Sequence, residues 1–199
     1  MNIYTIVLFL HIISAIGVCI GISVVLLGVA LLRRAQRVEQ VRTILAFATT
    51  AFPIAGVSML LLLVAGFYLA LSAWSLRTSW IAVTLVSLLL MIALGAGLIG
   101  PRMRAIVMAT REASEGLLPS QLSARIHEPV LFTVLLIQAV LLLGIVFLMT
   151  TKPELVSSII VMGVALVVGL AWGVLVSRSG RSRGLESAAH TDRTREPVA

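Results

Sequence analysis

The stretch VLLGVALLRRAQRVEQVR, residues 25–42, decides the fold. An apolar run reaches Leu32 and gives way at once to Arg33 and Arg34, then Arg37 and Arg42. A helix crossing hydrocarbon ends where side chains can reach water again, and arginines gather at that point on the inner side. Read upstream, the apolar run goes back to Thr5. Read downstream, the pattern returns in Leu45–Leu71, Trp80–Gly100, Val130–Met149 and Leu155–Val176. A hydrocarbon core of about 30 Å needs about 20 helical residues, so each stretch is long enough to span.

The basic residues between the stretches alternate. Arg33, Arg34, Arg37 and Arg42 fill the first connector, and Arg77 stands alone in the second. Arg102, Arg104, Arg111 and Arg125 fill the third, and Lys152 stands alone in the fourth. After the last stretch come Arg178, Arg181, Arg183, Arg193 and Arg195, so thirteen of fifteen basic residues fall on one side. The expected fold is all-α, a polytopic bundle of five transmembrane helices with the N-terminus outside and the C-terminus cytoplasmic. Residues 1–176 form the membrane domain, and 177–199, rich in Ser, Arg, Gly and Thr, read as a disordered basic cytoplasmic tail.

Composition excludes several function classes. With 60% hydrophobic residues in 199, no length remains for a folded soluble domain. A sequence pI near 11.3 invites a nucleic-acid reading, yet the arginines cluster at helix ends without aromatic interleaving. Their expected partners are the bilayer and its anionic lipids, with no nucleic acid. A single cysteine, Cys19, excludes an internal disulfide. The first stretch lacks a basic residue ahead of its core and far exceeds a signal-peptide h-region, so it reads as a retained helix.

Within the five stretches there is no Asp, Glu, Lys or Arg. Ion-coupled transport and acid–base catalysis place such groups at membrane depth, so the first expectation is a non-enzymatic protein that binds a hydrophobic ligand or a membrane partner. The one ionisable group at depth is His11, about 10 Å inside the outer boundary when counted from Tyr4. Imidazole ligates haem iron and copper, which makes His11 the candidate cofactor-binding residue. The competing reading is a structural histidine bonded to a hydroxyl or to Gln138. Ser14 shares the His11 stripe, and Gln138 is the other polar intramembrane residue; lining a path with His11, Gln138 would serve a small transporter or channel. Gly17-x-x-x-Gly21 and Gly169-x-x-x-Gly173 permit close helix packing, either within the bundle or between two copies in a homodimer.

Three boundary features complete the reading. Pro53 leaves an unpaired carbonyl, which a neighbouring helix or else Thr49 or Thr50 is expected to satisfy. Gly100-Pro101 should interrupt the third helix. Residues 101–116 then form either a helix lying at the interface or an extension of the third span.

Leu10-His11-Ile12-Ile13-Ser14-Ala15-Ile16, followed by Gly17 and Gly21, resembles the opening helix of bacterial membrane proteins grouped around copper-resistance protein D. Phe52-Pro53, Gly66-Phe67, Trp80 and Met149-Thr150-Thr151-Lys152-Pro153 are similar as well. The likeness is greatest to an uncharacterised branch of predicted integral membrane proteins, over roughly residues 4–153. The membrane-embedded protoporphyrinogen oxidase, with a histidine in a corresponding helix, is a more distant relative. The resemblance implies a multi-pass protein of the bacterial inner membrane, with haem or copper as a conceivable cofactor at His11.

Overall fold

A computed structural model describes the backbone of residues 2–193 and the side chains of 2–176. It contains helices only: α1 (Ile3–Leu32), α2 (Val38–Ala73), α3 (Ser79–Leu94), α4 (Gly100–Glu112), α5 (Ser120–Ile126), α6 (Pro129–Thr151) and α7 (Leu155–Arg193). A π-helical turn, Gly95–Ile99, joins α3 to α4. Five helical units are long and apolar enough to cross a membrane, and all-helical structure is what hydrocarbon demands, because each main-chain N–H and C=O must find its partner within the chain. The segment read as a disordered tail lies outside the residues with described side chains.

Antiparallel neighbours pack through small residues. On the face shared by α1 and α2, Gly17 sits against Ser58, Gly21 against Ala55 and Gly28 against Ala48. A Cβ added at Gly21 would stand 2.5 Å from that of Ala55, well inside contact distance. On the face shared by α6 and α7, a Cβ at Gly169 would stand 2.7 Å from the Ile137 Cα, and one at Gly173 2.8 Å from the Thr133 Cα. Both Gly-x-x-x-Gly motifs thus face neighbours within the bundle. In lipid this close approach supplies the dispersion contacts that hold helices together.

The Gly100-Pro101 interruption expected from sequence does not occur. Proline lacks an N–H and crowds the carbonyl four residues back, but the π-turn widens the helix just ahead of it. There the Gly100 N–H reaches the Gly95 carbonyl, five residues back, and the helix continues to Glu112. Residues 101–112 therefore extend the third span. Met103 and Ile106 of α4 are buried with Val29 and Leu32 of α1, Leu45 of α2, Leu122 and Ile126 of α5 and Leu131 of α6. Of the donors expected at Pro53, the two threonine hydroxyls are engaged further upstream. Thr49 Oγ1 donates to the Leu45 carbonyl (2.7 Å) and Thr50 Oγ1 to that of Phe47 (2.7 Å), because a helical hydroxyl reaches only carbonyls three or four residues upstream.

Two ends of the bundle are closed differently. At the arginine-poor end, Trp80, Ala70 and Ile81 form a small cluster, and Trp74 meets Trp80 edge to face with centroids 5.5 Å apart. Lys152, in a left-handed conformation after α6, places its ammonium 4.8 Å from the Trp74 ring centre. At the arginine-rich end the connector after α4 folds back on the turn between α1 and α2. Val38 N–H donates to the Gly116 carbonyl and Leu118 N–H to that of Gln36, both at 3.0 Å. Glu39 Oε1 accepts the Gly116 N–H (3.0 Å), and Arg42 donates to the Ala113 carbonyl (2.8 Å).

Candidate functional site

His11 lies on the face of α1 turned toward α2. A side chain at Gly66 would collide with the ring, since a Cβ there would be 3.0 Å from Cε1 and 3.3 Å from Nδ1. The missing side chain of Gly66 is what makes room for the imidazole. Nδ1 is sealed from the surroundings and has no hydrogen-bond partner among the described residues; the Leu62 carbonyl faces the ring without reaching bonding geometry. The ring as a whole is only half-buried, so Nε2 is the nitrogen open to an incoming group.

None of the polar residues singled out in the sequence completes His11. Ser14 is buried, and its hydroxyl donates to the Leu10 carbonyl of its own helix at 2.7 Å. Gln138 is buried on α6, and its Nε2 donates to the Met91 carbonyl of α3 at 2.7 Å. It sits where the π-turn begins, with Gly95 leaving space beside its amide. The structural partner expected for His11 across the interface is therefore engaged elsewhere, binding the third span to the fourth. Cys19 is partly buried and a free thiol.

Three features escaped the sequence reading. Gly66 reads in the sequence as a glycine before an aromatic, and nothing local reveals that it faces His11. Thr84 Oγ1 on α3 is a second buried polar atom without a partner among the described residues. His127, read as a connector residue, has both ring nitrogens on carbonyls: Nε2 is 3.1 Å from the Arg33 oxygen and Nδ1 2.9 Å from that of Ser123. Arg33 returns a bond to the His127 carbonyl at 3.4 Å and lies over the Phe132 ring, and partial burial lowers its pKa.

A copper or haem site needs more than His11 provides. Among the described residues no group of three or more His, Cys, Asp or Glu could hold a metal ion, and one imidazole supplies one axial ligand at most. The donor set does not fit a copper centre.

Fold and site define the class: an all-α, five-span integral membrane bundle without intramembrane charge. The model of the family described as predicted integral membrane protein (DUF2269) matches residues 5–153, and the chain belongs to that family. It is a multi-pass protein of the bacterial inner membrane. No curated protein and no solved structure matches the chain. The match reaches the uncharacterised family and lends nothing to the likeness with copper-resistance protein D or protoporphyrinogen oxidase.

Proposed function

We propose that this protein is a non-enzymatic membrane bundle that holds a hydrophobic molecule by a hydrogen bond to His11. The supporting observation is the ring itself: Nδ1 sealed beside Gly66, Nε2 open, and neither bonded within the described residues. At this depth there is no water, and an unmade hydrogen bond of a buried group costs about 1–3 kcal/mol. An amphiphile whose polar group reaches Nε2 supplies the hydrogen bond that this nitrogen lacks in lipid, while its apolar body rests among exposed side chains such as Phe9 and Ile12.

The test is to purify the protein and His11→Ala in mild detergent. The extractable small molecules, absorption spectrum and metal content of the two are then compared. The reading expects a colourless, metal-free protein carrying an amphiphile that the variant loses. Identical extracts would overturn it. A Soret band or stoichiometric copper that disappears in His11→Ala would instead establish the haem or copper reading, and with it a possible oxidoreductase. A transport role predicts substrate flux in proteoliposomes that responds to Gln138→Leu; the engagement of Gln138 by the Met91 carbonyl favours helix attachment instead.

The orientation belongs to the same proposal. Thirteen basic residues against two support an outside N-terminus and a cytoplasmic C-terminus. Reporter fusions at the two ends would decide it. Association into a homodimer would have to use surfaces other than the two glycine motifs, which face neighbours within the bundle.

A further inference from the structure

The arginines that look alike in the sequence divide once folded. Arg33, Arg37, Arg42 and Arg102 are engaged by the protein, through the His127 carbonyl, Glu39, the Ala113 carbonyl and Glu115, and Glu128 respectively. Arg34, Arg104, Arg111 and Arg125 have no side-chain partner among the described residues. Of these four, Arg34 lines a recess of about 400 Å³ with Leu31, Ala35, Gln40, Thr43 and Ile44, and the other three are not in its lining.

The chemistry of that groove is one-sided. Gln40 Oε1 accepts the main-chain N–H groups of Gln36 (2.9 Å) and Arg37 (3.3 Å), which leaves its Nε2 hydrogens as uncommitted donors. Thr43 Oγ1 has already given its proton to the Glu39 carbonyl (3.1 Å). The Glu39 carboxylate is engaged by the Gly116 N–H on one oxygen and by Arg37 on the other. The donors that remain are a guanidinium and an amide, against one acceptor, the Thr43 oxygen, beside the apolar Leu31 and Ile44. A guanidinium beside a second donor matches phosphate oxygens. The apolar wall matches hydrocarbon, and the groove lies where α1 leaves the membrane.

We propose that this groove is a specific site for an anionic phospholipid, its phosphate on Arg34 and Gln40 and its acyl chain along Leu31 and Ile44. The site is independent of His11, which lies toward the other end of α1.

Native mass spectrometry of the detergent-purified protein tests this, with phosphatidylglycerol and phosphatidylcholine added in equal amounts. Wild-type protein should retain the anionic lipid in preference. Arg34→Gln should lower that retention about fivefold, the scale of one arginine at a headgroup. Arg104→Gln should leave it within a factor of about two, because that arginine is equally unpaired among the described residues but is not in the lining of this groove. Equal losses in the two variants would mean diffuse charge attraction and overturn the site, as would no loss in Arg34→Gln. Free inorganic phosphate separates the ligand sources. If millimolar phosphate displaces the lipid and Leu31→Ser changes nothing, the groove is a plain anion site and the lipid assignment fails. If phosphate has no effect and Leu31→Ser weakens retention, the lipid assignment stands. His11→Ala should retain the lipid like wild type, so failure here and failure of the His11 reading are separable.

Discussion

The two ends of the bundle are closed by different forces. The arginine-poor end is held by two tryptophans, a lysine over one of them and a small apolar cluster. The arginine-rich end is held by main-chain bonds between distant connectors, by charged groups that reach carbonyls, and by the larger apolar cluster beneath them. Clustered charge at one boundary is usually taken as orientation alone. Here half of the arginines in the two arginine-rich connectors also work as ties within the protein, and removing them should cost order as well.

The largest expected effect comes from forcing the helices apart beneath the tied end. Gly173→Leu drives a side chain into the Thr133 main chain and should destabilise the protein by about 1–3 kcal/mol or more. A lowered unfolding midpoint in detergent would report it; an unchanged midpoint would mean that α6 and α7 are not packed as closely as described.

Next in size is the clasp itself. His127→Ala removes both ring contacts and should raise hydrogen exchange of the Val38 and Leu118 amides about threefold, leaving amides near Trp80 unchanged. Equal acceleration at both ends would erase the distinction between them.

The smallest effect is expected at the other end. Trp74→Ala removes the edge-to-face pair and the lysine contact, worth about 0.5–1 kcal/mol, with exchange in residues 113–118 unaltered. A loss as large as that of Gly173→Leu would show the lightly closed end to be the stronger one.

Much of the site was written in local sequence, and its decisive part was not. His11 stands out because no other ionisable residue lies at depth. Its neighbour Gly66 is 55 positions away, and the contact exists only because the small residues of α1 and α2 set those helices close. Gln138 is legible as a polar residue needing a partner, but the Met91 carbonyl as that partner follows only from how α3 packs on α6. The π-turn was itself invisible: Gly100-Pro101 signals a break by the ordinary rule, and only the i-to-i−5 bond shows how the helix passes through.

Sequence alone determined the five spans, the charge asymmetry and the helical class, because hydrocarbon solvent penalises any backbone group left unpaired and any charge left unaided. Those penalties act on each segment separately, so each segment reveals its own place. The tertiary structure decided which arginines bind the protein, where the third helix ends, and that His11 Nδ1 has no hydrogen-bond partner among the described residues. These depend on distances between residues tens of positions apart, set by how closely the glycine-bearing faces allow the helices to approach.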